Sequence, residues 1–177
     1  MADCGDCGCH DPELKKIRLR TLLWAVVPAA VVFLVPQEVR RLAGEMAPAP
    51  QGWSRWAGGW LVLNGLGLVA WCAQLLNVEG RGTPMPLDPT KELVATGPYR
   101  HVRNPMLLGL FLTLLGETVW FRSWAMWIYT LLIATVAHLW VVKREERDLA
   151  KRFGSRYDTY RRRVPRWIPS MKPVSKP

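Results

Sequence analysis

Residues 96–109 read TGPYRHVRNPMLLG and pass from a polar, basic turn straight into a long apolar segment. Proline disfavours the helical conformation in the residue before it and suits the first position of a helix, so Pro105 predicts a helix start with Asn104 as its N-cap. The unpaired N–H groups and the positive dipole end of that helix would lie beside Arg100 and Arg103. We therefore expect a corner that holds an anionic group, with simple anchoring of the two arginines at lipid headgroups as the alternative.

Charge is distributed unevenly along the 177 residues. The formal net charge is +10, half of the residues are hydrophobic, and ten are Trp. From Lys143 onward, twelve Lys or Arg residues stand against four acidic ones. A basic tail next to apolar segments is typical of a cytoplasmic membrane surface, so we expect a bilayer rather than nucleic acid as the partner of this tail. The sequence indicates no obligate protein partner.

Four apolar segments are long enough, with their flanks, to cross a bilayer. They are Thr21 to Val35, Trp56 to Leu76, Pro105 to Phe121 and Trp124 to Val142. The sequence therefore predicts an all-α integral membrane protein with about four transmembrane helices, followed by a cytoplasmic helical tail. The short connection at residues 122–123 makes the last two spans an antiparallel hairpin. For the first segment, a secretory signal peptide is the competing interpretation.

Composition divides the chain into four parts. The parts are a flexible Cys-containing N-terminus (1–16), the first two spans (17–76), a core with the motif loop, two spans and the helical tail (77–170), and a disordered tail (171–177). The basic loops place both termini in the cytoplasm, and we expect a bacterial inner membrane. Cys4, Cys7 and Cys9 have a spacing that can bind a soft metal or exchange thiols, but we predict no metal site in the main activity.

Small and polar residues in the second span predict how it packs. Gly58, Gly59, Gly65 and Gly67 would allow another helix to approach closely. Two polar residues of the same span should face protein rather than lipid. They are Asn64 and Gln74. The preceding segment, residues 36–55, is predicted as a polar loop.

Ionisable residues near the end of the fourth span are candidates for function. His138 and Glu145 are seven residues apart, so an α-helix would place them on one face, and an ionisable residue within a span is a functional candidate. The alternatives are a His138 bonded to a backbone carbonyl and a Glu145–Glu146 pair that binds basic neighbours on a solvated helix. Tyr157 and Tyr160 lie within one turn and suit packing as well as binding. The motifs of serine hydrolases, phosphate-binding loops and Rossmann domains do not occur in the sequence.

The ordered set of motifs carries a family resemblance. Its pieces are Gly97-Pro98-Tyr99-Arg100, Val102-Arg103-Asn104-Pro105-Met106, Gly109, Glu145-Glu146-Arg147, Phe153-Gly154, Tyr157, Tyr160 and Val164-Pro165-Arg166-Trp167-Ile168-Pro169. Together they resemble the isoprenylcysteine carboxyl methyltransferase and phospholipid methyltransferase superfamily over roughly residues 80–170. Any one piece alone would be weak, whereas the combination is specific.

The resemblance implies an integral-membrane enzyme that binds S-adenosylmethionine in a cytoplasm-facing pocket of the last spans and the tail. The implied catalytic residues are Arg103 and Glu146. The predicted cofactor-binding residues are Tyr99, Arg103, Asn104, Pro105, Gly109, His138, Glu145 and Glu146, and the predicted substrate-binding residues are Tyr157, Tyr160 and Arg166. Asn104 stands where many relatives have His, so no proton-transfer role is carried over to it.

Methyl transfer mainly requires alignment and a shaped electrostatic site, which suits these residue types. We expect a lipid-like or apolar acceptor, and first a carboxylate of the isoprenylcysteine type, because a carboxylate needs no general base. A phospholipid amine is the nearest alternative. An alternative from another class of function is a non-catalytic membrane protein whose basic tail binds anionic lipids.

Overall fold

Helices make up the fold, which a computed structural model describes for residues 19, 26–45, 52–81 and 90–170. The elements are a π turn (Ala30–Leu34), α1 (Val35–Leu42), α2 (Trp53–Val78), a 3-10 turn (Gly97–Arg100), α3 (Pro105–Phe121), α4 (Trp124–Trp140), a second π turn (Val141–Glu145), α5 (Glu146–Phe153) and α6 (Ser155–Arg163). Within the described ranges no strand occurs, so the predicted all-α class is confirmed. The amino-terminal cysteines and residues 171–177 lie outside the described residues.

Two helical stretches are long and apolar enough to cross a bilayer: the 26 residues of α2 and the continuous 30-residue helix Trp124–Phe153. Only 17% of the apolar window in each is buried inside the molecule, whereas the core helix of a water-soluble protein is mostly buried. At about 1.5 Å per residue, the second stretch is longer than the hydrocarbon core of about 30 Å, so its charged end from Lys143 lies beyond its membrane-spanning part. The apolar helix α3 has 17 residues. A count of four spans stays a prediction.

Glycines bring the backbones of α2 and α3 together. A Cβ added at Gly58 would stand 2.7 Å from the carbonyl oxygen of Gly116, and one added at Gly65 would stand 2.6 Å from that of Gly109. Because the contact position rises along α2 as it falls along α3, the two helices are antiparallel. Gly59 lies against a tryptophan ring of α3. The predicted role of these α2 glycines in close packing is therefore confirmed.

Three other predictions for α2 are wrong. Gly67 has no described atom within 4 Å of an added Cβ, so it does not serve close packing. Asn64 and Gln74 do not face protein, because both side chains are exposed. Asn64 satisfies its amide within the helix, where Nδ2 donates to the carbonyl oxygen of Trp60 at 2.7 Å. A local partner of this kind removes the need for one on another helix.

The π turn before α1 is bound to α4 through the carbonyl group of Val31, which accepts no backbone hydrogen bond. In the π turn, the N–H of Val35 donates to Ala30 rather than to Val31. Pro36 has no N–H to offer. The hydroxyl of Tyr129 on α4 donates to the carbonyl oxygen of Val31 instead, at 2.6 Å. The irregular turn thus creates the acceptor that joins the two segments.

Helix α1 continues to Leu42, so the prediction of a polar loop from Pro36 is wrong over this segment. One of its two arginines, Arg40, is buried against the end of α3. Arg40 is 4% exposed, and its guanidinium carbon lies 3.7 Å from the ring centroid of Phe121. Glu117 of α3 is 6% exposed, and its charge interacts with Arg40. A buried charge is stabilised by an opposite charge nearby, which accounts for the position of Arg40 beside Glu117.

Two residues connect α3 to α4. Arg122 adopts the left-handed conformation with a φ of 51°, and Ser123 caps α4 by accepting the N–H of Met126 at 3.1 Å. The hydroxyls of Thr118 and Thr130 form a hydrogen bond of 3.1 Å between the helices. The two helices are therefore neighbours next to the connection, while their arrangement as a hairpin across a bilayer stays a prediction.

The second π turn changes the register of the helix at its charged end. The N–H of Glu146 donates to the carbonyl oxygen of Val141, so this turn contains one more residue than an α-helical turn. The prediction that His138 and Glu145 share a face assumed a regular α-helix and is wrong. The extra residue brings Glu146 onto the face of His138 instead. Gly154 ends α5 with a φ of 51°.

Candidate functional site

Residues 165–170, which we call the C-terminal strap, lie across the turn that precedes α3. The N–H of Arg103 donates to the carbonyl oxygen of Pro165 at 2.9 Å, and that of Ser170 donates to the carbonyl oxygen of His101 at 2.8 Å. The ring of His101 donates from Nδ1 to the carbonyl oxygen of Ser170 at 2.8 Å. The turn and the strap therefore fix one another.

The carboxylate of Glu146 binds two guanidinium groups. Arg103 donates from Nη1 to Oε1 at 2.9 Å. Arg166 of the strap binds both oxygens, from Nε to Oε1 at 2.7 Å and from Nη2 to Oε2 at 2.9 Å. The side chains of Arg103 and Glu146 are only 13% and 12% exposed, so this pairing is stronger than a surface ion pair. Glu146 thus joins α5, the turn before α3 and the strap at one point.

Glu145 has a different environment, although it is adjacent in sequence. Its carboxylate accepts no hydrogen bond from the residues that the structure describes. Burial raises the pKa of Glu145 to about 7, the negative charge of Glu146 adds to this rise, and the charge of Arg152 opposes it. Glu145 is half-buried, and a partly buried carboxylate with a raised pKa is a candidate acceptor for a cationic or hydroxyl-bearing ligand.

Three buried tyrosines pack beneath this cluster. The hydroxyl of Tyr160 donates to the carbonyl oxygen of Tyr99 at 2.7 Å, and Tyr157 forms a side-chain hydrogen bond with Arg103. Burial raises the pKa of all three phenols, which keeps them neutral. Tyr157 and Tyr160 also form a hydrophobic cluster with Val164. Packing is therefore part of their role, and direct contact of Tyr157 and Tyr160 with substrate stays a prediction.

The start of α3 contains two buried donors that have no partner within the described part of the chain: Nε of Arg103 and Nδ2 of Asn104. Asn104 is 8% exposed and occupies the predicted N-cap position, but its side chain makes no capping hydrogen bond. Pro105 begins the helix as predicted. Most buried donors in proteins are paired, so each exception requires an explanation, and a bound ligand is one.

Trp167 of the strap contacts both α3 and α4. Its Nε1 donates to Nδ1 of His138 at 2.9 Å. Its ring centroid lies 5.7 Å from that of Phe111 and 5.8 Å from that of His138. The partner of His138 is thus an indole rather than the backbone carbonyl that the sequence suggested. Neither Trp167 nor Phe111 was among the predicted site residues, and the only signal for Trp167 was its place beside Arg166.

The structure brings most of the predicted site residues into one region. Hydrogen bonds and charge interactions link Glu146, directly or through one another, with Tyr99, Arg103, Glu145, Tyr157, Tyr160 and Arg166. Asn104 and Pro105 follow Arg103 in sequence, and their contact with a cofactor stays a prediction. His138 reaches this region only through Trp167 and is itself exposed. Gly109 packs against α2, where an added Cβ would stand 2.8 Å from the carbonyl oxygen of Gly65. Its cofactor contact stays a prediction.

A sequence profile of the phospholipid methyltransferase family matches residues 53–156. This chain belongs to that family. Together with the two long apolar helices, membership supports a membrane methyltransferase. For this phospholipid methyltransferase family member, the matched stretch includes the turn before α3 and both Glu145 and Glu146. The C-terminal strap with Arg166 and Trp167 lies beyond it.

Two known proteins are similar to this family member over shorter stretches. An uncharacterized protein of Haemophilus influenzae is 33% identical over 63 residues, which are 36% of this chain and 100% of that protein. The methanethiol S-methyltransferase of Crocosphaera subtropica is 34% identical over 74 residues, which are 40% of this chain but only 27% of that enzyme. No solved structure matches the chain.

Proposed function

We propose that this family member transfers a methyl group from S-adenosylmethionine to an apolar, lipid-like acceptor at the membrane surface. One observation carries the proposal. Within the family-matched stretch, Arg103 has an unpartnered buried Nε and pairs with Glu146, whose charge acts on the adjacent Glu145, and Asn104 with its unpartnered Nδ2 follows Arg103 in sequence. Such a mixture of donors and acceptors suits a ligand that carries both a carboxylate and a positive charge.

The chemistry of S-adenosylmethionine fits these residues. Its carboxylate would accept hydrogen bonds from Nε of Arg103, from Nδ2 of Asn104 and from the uncapped start of α3. Its ammonium or ribose hydroxyls would donate to Glu145. Methyltransferases of this family generally use S-adenosylmethionine, which agrees with the same assignment.

The proposed roles of the residues are binding and alignment. When bound, S-adenosylmethionine supplies a methyl carbon on a cationic sulfur, which takes back the electron pair of the broken C–S bond as the acceptor forms the new bond. Glu146 holds Arg103 in place through their ion pair. Glu145 contributes negative charge that favours a cation, and its pKa of about 7 makes this charge depend on pH near neutrality. Fixed charges in a partly buried site are an established source of catalysis.

The acceptor that we propose first is a carboxylate of the isoprenylcysteine type, which attacks without losing a proton. A phospholipid amine, or a thiol such as the one named for the Crocosphaera relative, would have to lose a proton, and Glu145 is the group available to take it. We propose that Tyr157, Tyr160 and Arg166 contact the acceptor. Four spans with both termini in the cytoplasm, in a bacterial inner membrane, complete the proposed arrangement.

The first test is binding of S-adenosylmethionine to the purified protein in lipid nanodiscs by isothermal titration calorimetry. We expect micromolar affinity for the wild type and a loss of about tenfold or more for Glu145→Gln, because a charge-assisted hydrogen bond is removed. Asn104→Ala should weaken binding as well. Glu38→Gln is the matched control, since Glu38 pairs only with exposed Arg41 on α1, and its affinity should equal that of the wild type.

Two results would contradict the proposal. Folded wild-type protein that binds no S-adenosylmethionine would reject methyl transfer and favour the non-catalytic, lipid-binding alternative. Equal affinities of Glu145→Gln and Glu38→Gln would reject the assigned site. With binding established, transfer of a radiolabelled methyl group to farnesylated cysteine, phosphatidylethanolamine or methanethiol distinguishes the three acceptor classes.

A further inference from the structure

Both ends of the C-terminal strap are bound to the turn at residues 101–103. One backbone hydrogen bond is made at Pro165 and the other at Ser170. Between these ends lie Trp167 and Ile168, which we call the tip of the strap. Because both ends are attached to one turn, the strap is a loop that presents its tip in a fixed direction.

The ring of Trp167 shows the direction of the tip. Its centroid lies 5.7 Å from that of Phe111, which follows Pro105 at the start of α3 by six residues. By helix rise, this is about 9 Å along the apolar helix. On α4, the indole Nε1 donates to Nδ1 of His138 at 2.9 Å. The tip therefore lies beside the apolar parts of both helices rather than beside their charged ends.

The end of the apolar part of α4 marks the depth of the tip. Trp140 is 52% exposed, and the guanidinium carbon of Arg144 lies 5.8 Å from its ring centroid. An exposed Trp beside an arginine is typical of the boundary between lipid headgroups and hydrocarbon. His138 precedes Trp140 by two residues, about 3 Å by helix rise, on the apolar side. The tip, which is bonded to His138, is therefore at this boundary.

An apolar side chain of the tip is left open at this depth. Ile168 is 80% exposed, although its neighbour Trp167 packs against two helices. In water, such exposure forgoes the gain of burying an isoleucine, whereas hydrocarbon at the same depth would supply it. The tip thus has the composition of a loop that enters the membrane interface.

The end of α6 adds positive charge just before the strap. Its last turn ends in Arg161, Arg162 and Arg163, which are all exposed. Arg161 pairs with Asp158 at 3.0 Å, whereas the other two arginines form no ion pair with any residue that the structure describes. Since Pro165 is bonded to the turn before α3, these charges are close to the membrane surface. Arginines at such a surface attract anionic lipids.

We propose that the strap docks on the leaflet at this end of the molecule, with Ile168 in the hydrocarbon and with Arg162 and Arg163 at the phosphates of anionic phospholipids. Anionic lipid then stabilises the strap in its observed position and, with it, the ion pair of Arg166 with Glu146. This docking surface is separate from the site around Glu146, and the inference does not rest on methyl transfer.

Labelling from within the bilayer tests the depth of the tip. The protein is reconstituted in nanodiscs that contain a phospholipid with a diazirine on its acyl chain, irradiated and digested with trypsin. We expect label on the peptide that begins at Trp167 and on peptides of α4, and none on the peptide of residues 157–161. An unlabelled strap peptide beside labelled α4 would overturn the inference, because the tip would then be in water or covered by protein, such as a second copy of the chain.

Hydrogen exchange followed by mass spectrometry measures how lipid charge acts on the strap. Amide exchange at Arg103 and Ser170, whose N–H groups join the strap to the turn, is compared in two kinds of nanodisc. One contains phosphatidylcholine alone, and the other contains an equal mixture of phosphatidylcholine and phosphatidylglycerol. The test variant combines Arg162→Gln with Arg163→Gln. S-adenosylmethionine is absent throughout, so the result is independent of the proposed function.

The matched control removes two charges at the far end of the tail by combining Lys151→Gln with Arg156→Gln. Both residues are exposed, and they flank Gly154 at the end of the continuous helix. By helix rise, Gly154 lies about 20 Å beyond Trp140. The potential of a charged leaflet is largely screened over this distance at physiological salt.

Each basic residue near an anionic leaflet favours docking about fivefold, so we expect phosphatidylglycerol to slow exchange about tenfold or more in the wild type and the control. In the variant with Arg162→Gln and Arg163→Gln, the slowing should be less than about threefold. An equal response of the two double variants, or no response of the wild type, would overturn the inference. Equal slowing by soluble glycerol phosphate in phosphatidylcholine nanodiscs would also overturn it, because a free phosphate would then replace the leaflet.

Discussion

The two sides of α3 are held by opposite kinds of contact. Against α2, the contact is made by glycines such as Gly58 and Gly65, whose absent side chains allow backbone to meet backbone. On its other side, the ring of Trp167 packs against Phe111 of α3, and the turn that leads into α3 is tied to the strap through Glu146, which pairs with both Arg103 and Arg166. The first contact is steric and leaves no polar group for a ligand, whereas the second consists of hydrogen bonds and charges that a ligand can replace. Scaffold and site are therefore separate surfaces around one helix.

The largest expected effect concerns the steric side. Gly65→Ala would place a methyl group 2.6 Å from the carbonyl oxygen of Gly109, and the backbones would have to move apart. We expect a loss of about 3 kcal/mol in stability, since overpacking against backbone finds no flexible neighbour. Gly67→Ala is the control, because nothing described lies within 4 Å of its added Cβ. Thermal unfolding in detergent measures both, and equal midpoints would show that the α2–α3 contact is not tight.

The next effect concerns the charged side. Glu146→Gln removes the partner of Arg103 and Arg166, and we expect a loss of about 2 kcal/mol together with faster amide exchange at Arg103 and Ser170. The control Glu38→Gln removes an exposed pair that contributes little. Hydrogen exchange followed by mass spectrometry gives the comparison. If exchange of the strap is the same in both variants, the ion pair does not hold the strap.

A change of pH sharpens the difference between the neighbouring carboxylates. The pKa of Glu145 is raised from about 4.5 to about 7, so the folded state binds more protons than the unfolded state between these values. The contribution of this group to stability therefore falls as pH rises from about 4.5 to about 7. Glu145→Gln should match the wild type at pH 5 and exceed it at pH 8. Denaturant midpoints at both pH values measure this, and an unchanged difference would show that Glu145 titrates normally.

The smallest effect concerns the tyrosines under the site. Tyr160→Phe removes one hydrogen bond, to the carbonyl oxygen of Tyr99, while keeping the ring. We expect a loss of about 1 kcal/mol. Thr159→Val is the control, since Thr159 is exposed and its hydroxyl donates to the carbonyl oxygen of Ser155 within α6. Unfolding in denaturant gives both values, and a Tyr160→Phe protein as stable as Thr159→Val would show that the hydroxyl is replaced by water.

Local signals predicted the helices well. Pro105 marked the start of α3, because proline acts through its own backbone geometry. Contacts between distant parts of the chain were not predictable in the same way. The pairing of Trp167 with His138 spans 29 positions, and no periodicity records it. Arg166 of the strap and Glu146 were both named from the sequence, but their pairing was not predicted.

Irregular helical turns account for the most instructive errors. The expectation that Glu145 shares a face with His138 assumed 3.6 residues per turn, and the π turn at 141–145 makes this assumption fail.

The expectation for Asn64 and Gln74 assumed that polar groups in an apolar helix require partners on other elements. Asn64 finds its partner one turn away, which composition cannot distinguish from a contact with another helix.

Because of the π turn at 141–145, the number of residues in this segment determines which later side chains face the site. Removing one residue there would leave a sequence that still forms a continuous helix, but every later side chain would rotate by about 100°. Glu146 would turn away from Arg103 without any change in the amino acids of the site. A single-codon deletion is thus predicted to inactivate the protein more completely than many substitutions at the same positions.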